Sequence, residues 1–455
     1  MPPRPREIII VGGGIIGCST AYYLTRHPSY SPDQHRITLL EASSTSRGGR
    51  TQDDTPPDPD PAAATALAAA GNPAHDGIAG GASGKAGGLL ALWAFPENIV
   101  PLSFRLHDEL AREHGGAERW GYRRCKAGEV RCEARRLSSS PPPPPPRPSA
   151  DVGRSSVSRG GRHGDYGGSE TPPAAAAAAR RGCGAPEDLD WIGAAALRAY
   201  DGIGTPEDTA QVHPELFTRS IAQLAEDAGV RVVTGARVTA ITRSPDGSRV
   251  EGVTYEYERG SGGDGEGGAH ATTADCVVVA AGPWTRRLLP EIPVGASRAH
   301  SVVVRTRRPL SAYALFTDIR PSPAGPGGAP EIYARPDGTA YACGPTDDEV
   351  PLPPTSAGVE VDRARCDDIL AQVAGISDEL GRDGEVVARQ ACYLPQGGPY
   401  IGQVGRTEGL IVAAGHTCWG IQNAPGTGKL VSEIIFDGEA KSARLGDCNP
   451  ATLRS

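Results

Sequence analysis

The chain has 455 residues, with 46 Lys+Arg against 54 Asp+Glu and a formal net charge of −8. This acidic balance gives no electrostatic footprint for nucleic acid or an anionic membrane surface, and no apolar run has the length of a bilayer span. Ten cysteines without a C-x-x-C pair suggest neither a disulfide framework nor a metal site.

Gly (60) and Pro (42) are abundant while aromatics make up 5%, so long irregular inserts dilute a core of ordinary size. The basic charge is almost all arginine, with lysine at Lys85, Lys126, Lys429 and Lys441. The first strand begins within a few residues of the start, leaving no room for a signal or transit peptide. A cytoplasmic location is expected.

The first predicted element is the β-branched run Glu7 to Val11, which feeds the G-x-G-x-x-G pattern of Gly12, Gly14 and Gly17. Cys18 to Leu24 then reads as helix. In that setting Gly12 makes the tight turn, Gly14 admits a pyrophosphate and Gly17 lets helix meet strand. Phosphates would rest on the helix N-terminus, where free N–H groups and the helix dipole favour negative charge. A second strand, Ile37 to Leu40, ends in Glu41, placed to accept hydrogen bonds from a ribose. These features predict dinucleotide binding and leave a nicotinamide dehydrogenase open.

Two segments interrupt the globular pattern: 43–76, rich in Ser, Asp, Pro and Ala, and 135–186, with a proline run at 141–146 and an alanine run at 174–179. Neither carries enough apolar surface to offset the entropy of ordering, so both are expected to be disordered or loosely attached. Beyond them, Phe217, Ile221, Leu224 and Ala228 mark a helix over Pro214 to Ala228 that Gly229 stops. Short strands are predicted at Val230 to Val233 and Arg237 to Ile241. Buried strands within Cys276 to Gly282 and Gly409 to Gly415 each run into a glycine turn, and Val302 to Val387 reads as antiparallel sheet. The expected fold is α/β. A discontinuous Rossmann-like domain (1–94, 205–295, 396–445) would carry an inserted, mostly antiparallel α+β substrate domain (95–134, 187–204, 296–395).

Five blocks then converge: Ile8 to Gly17 with Glu41; Gly81-Ala82-Ser83-Gly84-Lys85-Ala86-Gly87-Gly88; Val277 to Trp284; Gly398-Pro399-Tyr400-Ile401-Gly402; and Gly415-His416 through Gly420 to Gly428. In this order they resemble the FAD-dependent oxidoreductases of the glycine/D-amino-acid oxidase (DAO) family. The resemblance implies FAD as cofactor, contacted by Gly12, Gly14, Ile15, Ile16, Gly17, Glu41, Ser83, Gly84, Lys85, Gly87, Val238, Ala281, Gly282, Trp284, Gly415 and Gly420. It also marks Cys392 as a place where some members attach flavin, against the plainer reading of a buried small hydrophobe.

The reaction implied is oxidation of a C–N bond in an amine or amino acid, with hydride passing to the flavin and O2 as acceptor. His416, Trp419, Gln422 and Arg389 are the candidate substrate-side residues. Gln422 stands where sarcosine-oxidase-like members carry a carboxylate-binding lysine, and a glutamine binds a carboxylate more weakly than a cation does. Arg389, or Arg298 beside His300, is the alternative anchor. His416 either bonds flavin or substrate or caps its turn. Gly426 and Gly428 precede a last predicted apolar helix (Leu430, Val431, Ile434, Ile435), and Lys429, early in it, faces solvent or a phosphate. The missing cation also leaves open a flavin-bound regulatory or trafficking protein with little catalytic activity. A tRNA-base-modifying flavoenzyme is disfavoured by the acidic balance.

Overall fold

The computed structural model describes residues 4–45, 76–135, 173–258 and 268–453. The β-branched run forms strand Arg6–Val11, whose last four residues are all buried. It sits inside a six-stranded sheet, between strands His35–Leu40 and Cys276–Val279, with Leu410–Ala414 and Arg231–Val233 beyond. These five are parallel, and Tyr400–Gln403 closes one edge antiparallel. Fully buried parallel strands need apolar residues on both faces, which explains why these segments show no polar alternation.

A seven-stranded sheet stands beside this layer, in the order Glu385–Gln396, Gly295–Arg305, Thr339–Asp347, Glu331–Ala334, Tyr313–Arg320, Lys126–Glu133 and Leu197–Gly204. Its pairings are antiparallel except for Tyr313–Arg320 with Lys126–Glu133. Along each strand alternate side chains face opposite ways. One face packs on helix Arg363–Ala374 through Val302, Leu315, Ile332, Ile369 and Val373. The other gathers Val303, Ala314, Tyr333 and Tyr341 around Trp93 and Trp419.

Three expectations change. Residues 173–186 are not loose: Pro173–Gly182 is a helix, and Ala185 is buried with Trp191 and Leu197 in the second core. The flanking prolines limit this helix without preventing it, and its Arg180 holds the Asp190 and Ile192 carbonyls. The rest of the two expected loose segments, 46–75 and 136–172, lies outside the described residues. Helix Val100–His114, expected with the substrate domain, instead buries Leu102, Phe104, Leu106 and Leu110 in the core of the six-stranded layer.

The last helix is the third correction. It begins at Gly420 and runs to Asp437, so Gly426 and Gly428 lie inside it rather than before it. A Cβ on Gly428 would stand 2.5 Å from the Ser19 carbonyl oxygen, so the glycine permits backbone contact with helix Ile15–Thr25. Pro425 also lies within this helix, and its missing N–H leaves the Ile421 carbonyl without its helical donor. Helix Val100–His114 supplies the repair. His107 Nε2 lies 2.9 Å from Ile421 O, and Ser103 Oγ accepts the Gly426 N–H at 2.9 Å. Replacing His107 with leucine strands a buried carbonyl and is expected to cost about 1–3 kcal/mol. Denaturant unfolding would show this as a lower midpoint, and an unchanged midpoint would contradict the repair.

Candidate active site

A cleft opens where the parallel strands end. Its walls are the turn after the first strand (Gly12, Gly14, Ile15, Ile16), Glu41, Ser83, Val238, the segment Ala280 to Trp284 and the loop Gly415 to Cys418 with Gly420. Strand C-terminal ends are the usual ligand-binding edge of such sheets. Gly12 is required there: its φ is 116°, and a Cβ would lie 2.4 Å from the Ala280 carbonyl oxygen. Gly17 serves packing, since a Cβ on it would meet the Gly12 carbonyl at 2.0 Å.

The site's chemistry suits an anionic dinucleotide. Helix Ile15–Thr25 and helix Gly420–Asp437 both start at the cleft, and neither has a side-chain cap or an acidic residue in its first turn. Open N-termini of this kind attract phosphate and other negative charge. Ser83 Oγ meets the Ile15 N–H at 2.9 Å. Glu41 accepts the Gly13 N–H at 2.6 Å and the Ser43 N–H at 2.9 Å, so its carboxylate is fixed at the cleft wall. Burial raises its pKa and these amide bonds oppose the rise.

His416 is buried, with Nε2 3.0 Å from Thr427 Oγ1, and burial pushes its pKa down to about 3. It is a neutral wall residue. Beside it Thr417 takes a φ of 52°, a strained value for a β-branched side chain that is held by its surroundings.

Other expected site residues stand back from the cleft. Lys85 is 2% exposed and donates through Nζ to the Gly80 carbonyl. It lies near Cys392, whose thiol is pushed up to about 11 by burial, with the Lys85 charge opposing. Cys392 is therefore a protonated buried thiol off the cleft wall. Gly84 packs on Ala79 and Gly87 on the Tyr333 ring. Gln422 is fully buried and accepts the Ala91 N–H at 2.8 Å, and Trp419 packs edge-on against Trp93 at 5.9 Å. Lys429 pairs with Glu433 at 3.4 Å.

Both arginines proposed as carboxylate anchors face away. Arg389 lies opposite Val302 in the sheet and bonds Asp367 of the helix behind it at 2.9 Å. Arg298 is 3% exposed, paired with Asp347 and bonded to the Glu360 carbonyl. The two-residue strand period decides this, because a shift of one position moves a side chain to the opposite face.

One wall was not foreseen. Pro354, Thr355 and Ser356 cover part of the cleft, held there by Trp284 Nε1 on the Pro353 carbonyl at 2.6 Å and Arg287 on the Leu352 carbonyl. A proline-rich loop carries no periodicity that would announce this contact.

The profile of the FAD-dependent oxidoreductase family, DAO, matches residues 7–52 and 63–434. The chain belongs to the DAO family of FAD-dependent oxidoreductases. It is 32% identical to the oxidoreductase-named TDA3 of Saccharomyces cerevisiae over 98% of this chain and 94% of that one. A similarly named protein of Schizosaccharomyces pombe is also 32% identical, with 98% of each chain covered. Glycine oxidase from Geobacillus kaustophilus superposes with a TM-score of 0.62 at 18% identity over the whole of both chains, which establishes the shared fold. DAO enzymes depend on FAD, and the glycine turn, the two open helix ends and Glu41 fit that cofactor. Among the described residues no helix is long and apolar enough to cross a membrane.

Two outcomes test this site. Glu41→Gln removes a charged acceptor worth about 1.5–3 kcal/mol, so flavin titration of the apoprotein should show about 10–100-fold weaker FAD binding. Unchanged affinity would place the ribose elsewhere. His107, held down to about 4 by burial against its carbonyl bonds, and His416, held down to about 3 by burial, stay neutral in the fold. An unfolded imidazole titrates near 6.5. Between these values the unfolded chain binds more protons, so stability falls as pH drops from about 6.5 toward 4. Melting temperatures should follow that slope and flatten in His416→Gln; a slope that H416Q leaves unchanged assigns it to other groups.

Proposed function

We propose that this DAO-family chain oxidises a C–N bond of an amine or amino acid. The flavin, when bound, accepts a hydride from the carbon beside nitrogen, and O2 serves as the acceptor that restores it. The residues of the chain bind and orient the substrate and exclude water. A small molecule is the substrate, and the net charge of −8 supports a reading without nucleic acid.

The observation that carries the reading is where the loop His416 to Trp419 lies. On one side it forms the wall of the cofactor cleft. On the other, Trp419 packs with Trp93, Tyr333 and Tyr341 on the seven-stranded sheet. A substrate held against that sheet would lie across the loop from the cofactor. His416 is neutral there, so it shapes and bonds rather than carrying a proton.

A flavin-bound protein with little activity is the second reading, favoured by the absence of Gln422, Arg389 and Arg298 from the cleft wall. Anaerobic titration of the yellow holoprotein with amines and N-methyl amino acids separates the two. Loss of the flavin absorbance supports oxidation, and no bleaching with any of them rejects it. Arg389→Ala should change the bleaching rate by less than about twofold, because its side chain points to Asp367 on the far face of the sheet, away from the cleft. A large loss would return Arg389 to the site.

A further inference from the structure

We propose that the substrate face of this site recognises a cationic amine that carries no free carboxylate, held by Glu331 against an aromatic wall. The proposal deepens the C–N oxidation reading and rests on it for the chemistry, in which the ammonium gives one proton to Glu331 so that the neutral amine loses the hydride, but not for the binding.

The geometry begins with strand phase. In Glu331–Ala334, Ile332 and Ala334 are fully buried in the core behind the sheet, so Glu331 and Tyr333 face forward. Cross-strand register puts Glu331 between Phe316 and Cys343. Tyr333 rests on Gly87 of the flavin loop. Phe316 lies 6.2 Å from Trp93, which in turn meets Trp419. Aromatic faces beside a carboxylate are the standard surroundings of an organic ammonium ion.

Glu331 has hydrogen-bond donors but no countercharge. The Tyr333 hydroxyl donates to it, and Cys343 Sγ lies 3.9 Å away. Among the described residues it forms no ion pair, although it is half-buried. Burial raises its pKa, with the Tyr333 and Cys343 bonds opposing. Its charge is felt at the cleft: desolvation raises the Cys418 thiol, and Glu331 raises it further. A carboxylate in this setting is costly until a cation meets it.

The nearby cations are engaged elsewhere. Arg335 stacks over Tyr341 at 5.2 Å, donates to the Ala86 carbonyl and is answered by Asp337. Lys85 is on Gly80. Farther along the same cross-strand row comes Glu129, exposed and in register with Phe316, which adds negative charge at the rim. An α-amino acid would bring its carboxylate toward Glu331 without a cation to receive it. That arrangement selects by repulsion as well as by attraction.

The test uses holoprotein and matched ligand pairs under anaerobic conditions: phenethylamine against phenylalanine, and N-methylphenethylamine against N-methylphenylalanine. Two readouts are taken, perturbation of the flavin spectrum on binding and flavin reduction. Each amine is expected to bind at least ~10-fold more tightly than its carboxylate-bearing partner. Glu331→Gln should weaken amine binding by about 10–100-fold while FAD stays bound. Equal or tighter binding of the amino acids overturns the proposal, as does an E331Q protein that binds amines normally. If E331Q does not fold, the matched pairs on the unmodified protein decide alone. Amine binding that prefers the uncharged-tail partner but gives no reduction supports this inference and rejects C–N oxidation. Absence of both binding and reduction rejects both.

Discussion

Gly12 sits where a strand, a helix and a distant strand all converge, and nothing larger fits. Its positive φ turns the chain from Arg6–Val11 into the first helix, and the carbonyl of Ala280 occupies the volume a Cβ would need. The nucleotide turn is thus set by residues near 280 as much as by its own sequence. The same closeness aligns the first helix so that its open N-terminus faces the cleft. The parallel pairing of Ile8–Val11 with Cys276–Val279 holds the arrangement from below. Glu41, one strand over, then reaches the Gly13 amide.

The helix ends at the cleft and the face of the neighbouring seven-stranded sheet differ in electrical character. The dipoles and remaining N–H groups at the starts of two helices favour negative charge, as a pyrophosphate or a reduced flavin ring presents. The sheet face opposite presents Glu331 and aromatic rings. Between them His416 is neutral and Thr417 is strained. The division of charge follows from backbone placement, and few ionisable side chains are needed to create it.

Much of the cleft lining was legible in the sequence, because glycine turns and β-branched runs are local signals. Gly12, Glu41, Ser83 and Gly282 could be placed at one cleft from their motifs. The substrate side was not legible. Arg389 and Arg298 were named as anchors by proximity in sequence, yet strand phase turned both toward helix Arg363–Ala374. Glu331 passed unnoticed because nothing near it forms a motif; its significance arises from Phe316 and Cys343 on neighbouring strands. Helix boundaries failed for a related reason. Gly426 and Gly428 read as preceding the helix, and only His107, more than 300 residues earlier, makes Pro425 acceptable inside it. The helix Pro173–Gly182 was hidden by its composition, since alanines flanked by prolines and arginines give no apolar stripe to read.

The cleft draws its walls from Gly12, Ala280 and Gly415 alike, and Gly420–Asp437 lies against both early helices. A ribosome-bound chain therefore has no cofactor site until nearly all of it has emerged. The nucleotide turn at the beginning of the chain must wait, unfilled, for the end. The complete cleft exists only when segments from both ends of the fold are in place together.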